Sequence, residues 1–296
     1  MTPATVRSAA SRLAGADRAQ LVVFEVEDTD LTFLTDLPPL HDLRVLYSAV
    51  KTVDAIAYHA KTLQTLELML GWHPVTVQPL AQLHALRQLY LSRSGRPAVR
   101  DVPEALAHLR QLEHLILYGT KMPSLEDLAS LPKLTGLALK VGSITSLDGL
   151  ADLTALRFFE AWQVRGLSDL TPVAASPTLE VLYLESLRRA ELPDFSTAVS
   201  LQHVKMDNLP LTAGLAGLAA APRLRQVSIT RRVFSEEEVA VLRGHPSLEA
   251  AFVPLRGRGL SDEDFQLGLR RPDEEPFTAY AAGVMGLPNL HEPTST

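Results

Sequence analysis

The sequence predicts an α/β solenoid in which stacked, near-identical units contribute to one parallel β-sheet. Three observations predict it. A six-residue block with apolar residues at its first, fourth and sixth places returns along most of the 296-residue chain, at intervals of 20 to 26 residues. A fixed period of that length marks a chain built from one supersecondary unit. Between blocks the leucines fall on every third residue, as at Leu147, Leu150, Leu153 and Leu156, which is the beat of a 3₁₀ return rather than of a strand or an α-helix. Finally, 46% hydrophobic against 21% charged residues is enough to bury a continuous core once the units stack.

The elements follow in order. Residues 1–20 read as an N-terminal capping helix: Arg7, Arg12 and Arg18 are present, but no apolar run marks a signal peptide. The repeat region covers residues 21–253. Its blocks are a degenerate "LVVFEV" from Leu21, then "LRVLYS" from Leu43, "LQTLEL" from Leu63, "LRQLYL" from Leu86, "LEHLIL" from Leu112 and "LTGLAL" from Leu134. They continue with "LRFFEA" from Leu156, "LEVLYL" from Leu179, "LQHVKM" from Leu201, "LRQVSI" from Leu224 and "LEAAFV" from Leu248. Places 4 and 6 share the buried side of a short strand and places 3, 5 and 7 face out, because side chains alternate along a strand.

These blocks resemble the leucine-rich repeat family, whose units run roughly 20–29 residues; the unit at 134–156 is similar to the short form with 3₁₀ segments outside. The resemblance implies a curved, right-handed solenoid with the parallel sheet on its concave face and turns, 3₁₀ segments and short helices on the convex face. Residues 52–63 and 101–112 read as helical turns, the second with Pro103 near its start. In 234–248, Ser235 followed by Glu238 predicts a capping box, and Gly244 a stop. Residues 92–100 read as a loop insertion. Many members of the family carry asparagine at the ninth place, where it bonds loop backbone; here that place never holds asparagine, so other partners must serve the loops. Residues 254–296 lose the rhythm and read as a C-terminal cap, with 277–287 docking as a short cap or strand and 288–296 as a frayed tail.

Composition narrows the function. A net charge of −6 argues against a nucleic-acid binder. With no cysteine there are no disulfides or thiolate metal sites, which fits a reducing, cytoplasmic setting; the Ala, Leu, Arg and Pro content suggests a bacterial source. No apolar stretch is long enough to span a bilayer, so no membrane is expected. His114 and His203 share a register but lie four units apart, and no nucleotide loop, HExxH or GxSxG occurs. No catalytic residue, cofactor or metal is expected, and the chain is read as not an enzyme. Six arginines, at 188, 189, 231, 232, 256 and 258, follow strand ends and read as a solvated rim.

The outward places instead predict a protein- or peptide-binding surface. Tyr90, Tyr118, Phe158, Trp162 and Tyr183 form an aromatic band, accompanied by Glu160, Glu185 and Lys205, the composition of an interface centre. Gly136 and Ala138 predict a shallow dip between the bulky flanks. The expected function is a non-enzymatic scaffold that binds a protein or peptide of unknown identity through the concave face, as adaptor, inhibitor or immunity-type partner. The alternatives are a structural or self-associating protein and a regulatory subunit of a larger enzyme complex. A monomer is expected, with a dimer through the C-terminal region as the alternative.

Overall fold

The computed structural model describes residues 3–24, 29–93, 99–257, 259 and 261–279. They form two compact units, Met1–Met122 with Asp127–Leu134, and Pro123–Glu126 with Thr135–Thr296. The first unit opens with α1 (Pro3–Leu13) and carries five parallel strands in chain order: β1 (Gln20–Phe24), β2 (Asp42–Ser48), β3 (Thr65–Leu70), β4 (Gln88–Arg93) and β5 (His114–Tyr118). Return segments are 3₁₀ at Thr32–Asp36, Asp54–His59 and Gln78–Gln82, and a helix, α2 (Val102–Leu106). The short β6 (Lys121–Met122) follows, and Asp127–Leu134 complete the unit.

The second unit carries β7 (Gly136–Lys140), the short β8 (Ser143–Ile144), β9 (Phe158–Trp162), β10 (Val181–Glu185), β11 (His203–Asp207), β12 (Gln226–Thr230) and β13 (Ala250–Phe252). All but β8 pair in parallel with their neighbours. The returns include 3₁₀ at Leu150–Asp152 and helices α3 (Thr171–Ala174), α4 (Ala216–Ala219) and α5 (Glu236–Arg243). The three-beat leucines do what their period predicts: Leu147, Leu150, Leu153 and Leu156 are all buried on one side of the return. Of the two stretches read as helical turns, 101–112 contains α2, while 52–63 is 3₁₀.

From Leu63 onward the blocks stand in the expected register. Leu137 and Leu139, Phe159 and Ala161, and Leu182 and Leu184 occupy places 4 and 6 and are buried. The first two blocks are displaced by three residues. Leu43 pairs with Leu66 and Val45 with Leu68, and Leu43 and Val45 are both fully buried. The second block is therefore "LHDLRV" from Leu40, and the pairing of Leu21 with Leu43 moves the first to "RAQLVV" from Arg18. Both Leu40 and Leu43 begin a Leu-x-x-Leu; the sixth place separates them, since it holds Val45 in the first frame and polar Ser48 in the second. The middle outward place of this strand therefore belongs to Arg44, which approaches Glu67 at 3.7 Å.

The missing asparagine has a backbone explanation. The residue just after the strand, place 8, is left-handed in six units: Gly119, Val141, Gln163, Ser186, Asn208 and Arg231, with φ between 51 and 69°. That twist turns the chain inward while the amide still serves the ladder: Val141 N–H donates to Trp162 O, Gln163 to Glu185 O and Ser186 to Asp207 O. Place 9 is then free to point apolar groups such as Val164 and Leu187 into the core. Where it holds Arg232, the guanidinium Nη1 donates to the loop carbonyl of Pro210 at 2.5 Å. At Gly119 the requirement is strict, since a Cβ there would lie 2.4 Å from the Arg93 carbonyl oxygen.

The C-terminal part of the second unit closes as the sequence predicts at α5. Ser235 Oγ accepts from Glu238 N–H, the Glu238 carboxylate accepts from Ser235 N–H, and the helix stops at Gly244. Beyond it, Arg270 bridges Ala250 at the edge of β13, and Phe265 packs edge-on against Phe252. A helical turn follows over 275–279. Of the 277–287 stretch, expected to dock as a short cap or strand, the described residues 277–279 belong to this helical turn, with Phe277 buried; 280–296 lie outside the described residues.

Candidate functional site

In the second unit, strand alternation and equal register stack the outward places into rows. The middle row runs Ala138, Glu160, Tyr183, Lys205, Ser228 and Phe252. One flank runs Lys140, Trp162, Glu185, Asp207 and Thr230; the other runs Gly136, Phe158, Val181, His203 and Gln226. The structure thus brings together six of the eight residues singled out in the sequence: Phe158, Glu160, Trp162, Tyr183, Glu185 and Lys205. Tyr90 and Tyr118 lie on β4 and β5 of the first unit, both half-buried. The expected dip is enclosed: Ala138 is only 4% exposed.

The strands and their end loops satisfy most of the charges on this face. Lys140 Nζ reaches Glu160 Oε1 at 2.9 Å and lies 5.9 Å from the Trp162 ring. Tyr183 donates its hydroxyl to Glu185 Oε2 at 2.5 Å. Burial, and then this bond to a carboxylate, hold the Tyr183 phenol far above its ordinary range. Asp207 Oδ1 faces Arg231 Nε at 3.3 Å. Burial pushes the His203 imidazole below its ordinary value, aided by Arg225.

Lys205 is the exception. Its ammonium meets Glu274 Oε2 at 2.5 Å, a carboxylate 69 residues further along the chain. It also lies 5.4 Å from the Tyr183 ring and 5.7 Å from the Phe277 ring. Phe277 packs with Phe158 and Val181 in one buried cluster and meets Tyr183 edge-on, with centroids 6.3 Å apart. The Gln226 side chain pairs with the Asp273 backbone in both directions, Nε2 donating to the carbonyl at 2.5 Å and Oε1 accepting from the amide at 3.1 Å. The segment 270–277 therefore lies across the outward face of four strands. Phe158, expected on an open surface, is 4% exposed. Gln226, Glu274 and Phe277 were not singled out as site residues; no short-range pattern links positions so far apart, and the only cue was an acidic, aromatic stretch after the repeats end.

The arginine rim takes a different membership. A cavity of about 660 Å³ among the strand-end loops is lined by Arg165, Arg188, Arg189 and Arg231. Arg232 turns away to Pro210 O and to Glu238, at 3.9 Å. Arg256 is exposed, and Arg258 lies outside the described residues. Among the described residues no group of histidines and carboxylates could hold a metal ion, and no helix is long and apolar enough to cross a membrane.

No family model matches the chain. Among curated proteins, the probable disease resistance protein RF9 of Arabidopsis thaliana is 27% identical over 184 residues; the match spans 57% of this chain but only 17% of that protein. Two internalins of Listeria monocytogenes are similar in structure. One, at 18% identity and a TM-score of 0.54, covers 96% of this chain and 93% of the internalin; the other, at 24% and 0.54, covers 77% and 93%. A leucine-rich repeat protein of Leptospira interrogans matches at 19% identity and a TM-score of 0.55, over 83% of this chain and 69% of its own. At such identities the likeness establishes the fold, and the fold it establishes is the one the leucines predicted.

Proposed function

We propose, taking as premise that this chain is a leucine-rich repeat protein, that it is a non-enzymatic scaffold binding a protein or peptide through the outward strand face of its second unit. One observation carries the proposal: that face already holds a peptide segment, the chain's own residues 270–277, by a side chain–backbone pair, an ion pair and a seated aromatic ring. A surface that orders a peptide has the donors, the charge and the apolar seat that peptide recognition needs. The fold supports the same reading by analogy only, since one architecture serves many tasks. Cytoplasmic residence belongs to the proposal and is supported by the lack of cysteine.

The test is selection of binders from a library of short random peptides displayed on phage, with the full chain immobilised. Selected peptides should bind the wild type and lose at least about tenfold in affinity, some 1.4 kcal/mol, against the double variant Trp162→Ala, Lys205→Ala. Peptides that bind the double variant equally well, or a selection that yields none, would refute the assignment of this face.

A further inference from the structure

We propose that the face of β9–β12 recognises an acidic segment that enters one helical turn and presents an aromatic side chain three residues after a glutamate, and that residues 273–277 are its resident, displaceable occupant. The proposal rests on the peptide-binding function above and names the ligand of that site.

The occupant crosses the strands in step. Arg270 bridges β13, Asp273 meets Gln226 on β12, Glu274 meets Lys205 on β11, and Phe277 seats against Val181 and Tyr183 on β10 and Phe158 on β9. Three of these contacts divide the work of recognition. Gln226 reads only backbone, so it sets position and is indifferent to sequence. Lys205 reads a carboxylate. Among the described residues it is the one cation of this face whose acidic partner comes from the crossing segment, whereas Lys140 has Glu160 on the next strand. Phe158, Val181 and Tyr183 read a ring, and Lys205 beside that ring couples the two choices through its charge.

The occupant's own geometry sets the spacing. Phe277 N–H and Thr278 N–H both donate to Glu274 O at 3.0 Å, so the turn begins at the glutamate and brings the ring to the same side three residues on. Pro276 stands early in that turn, where proline is compatible with the helix.

The contacts are also few enough to exchange. Glu274 remains 61% exposed in its ion pair, the setting in which such pairs hold weakly. A tethered segment competes at an effective concentration on the order of millimolar. A partner in trans therefore binds with its affinity reduced by the fraction of open face, and removing the occupant should reveal that affinity.

The experiment uses the full chain and a fluorescein-labelled peptide of residues 271–279, read by fluorescence anisotropy. Phe277→Ala, and separately Glu274→Lys, should bind the peptide at least about tenfold more tightly than the wild type. Adding Lys205→Glu to Phe277→Ala should abolish binding, as should alanine in place of phenylalanine in the peptide. Equal affinity of wild type and both variants, no binding by either while both keep wild-type melting, or indifference to Lys205→Glu would each overturn the proposal. So would a concentration-dependent wild-type dimer that Phe277→Ala dissociates, which would assign the segment to exchange between copies. If library peptides still depend on Trp162 and Lys205 while the 271–279 peptide fails, the ligand assignment falls and the binding face stands.

Discussion

Val141 is the residue least suited to the backbone it occupies. Its φ is 54°, and it sits where the other left-handed turns hold Gly119, Gln163, Ser186, Asn208 and Arg231. A left-handed conformation costs an ordinary L-residue roughly 1–2 kcal/mol, and a β-branched one is least suited to it, whereas asparagine visits the region readily. Val141→Asn should therefore recover about 1 kcal/mol after allowing about 0.5 kcal/mol for the partial apolar contact of a half-buried valine. The amide that donates to Trp162 O at 2.8 Å is backbone and survives the change. The reverse exchange, Asn208→Val, should lose at least as much, because it also removes the Asn208 Nδ2 bond to Ser186 Oγ at 3.1 Å. Urea unfolding followed by circular dichroism measures both, and calorimetry should show a rise in Tm of about 2–4 °C for Val141→Asn. A Val141→Asn protein no more stable than the wild type, or an Asn208→Val protein that loses nothing, would refute the claim that the left-handed backbone at place 8 penalises a β-branched side chain.

Two further outcomes follow from burial. Leu137 is fully buried in the second unit, so Leu137→Ala should lose about 2–5 kcal/mol by chemical denaturation, while Trp162→Ala, half-buried on the outward face, loses well under half as much. His59 is 1% exposed, accepts from Leu40 N–H at Nδ1 and donates from Nε2 to Leu34 O, and burial pushes its pKa below the ordinary value. Below the unfolded pKa, near 6.5, the unfolded chain takes up a proton that the folded chain refuses. The His59 share of stability should thus be constant above that pH and fall as pH drops below it. His59→Gln should flatten that share of the decline in melts between pH 7.5 and 5.

The stack was legible because its signal is local and repeated. Leu134, Leu137 and Leu139 have one possible register, and the units around them repeat it. Where two leucine frames overlap, at Leu40 and Leu43, the Leu-x-x-Leu start fits both, and it is Val45 against Ser48 at the sixth place, with the pairing to Leu66, that decides. The absent asparagine was legible as an absence, but its remedy was not, because a positive φ at Val141 or Arg231 leaves no mark in residue type. The rows of the face followed from alternation alone, so Tyr183 and Lys205 could be placed side by side without coordinates.

What alternation could not supply was the occupant. Contacts within the stack recur about one unit apart, as between Arg157 and Glu180 at a separation of 23 or Arg225 and Glu249 at 24. The contacts of the crossing segment span 47 residues at Gln226 and 69 at Lys205. That difference has a physical consequence. A repeat stack is stabilised by each unit and its nearest neighbours, so its core leucines do not depend on a segment that touches only outward places. Phe277 buries itself against Phe158 and Val181 without completing any strand or return. Its departure would uncover an apolar seat and the Lys205 ammonium together while Leu137, Leu182 and Val204 stay covered, leaving the face both exposed and intact for a second peptide.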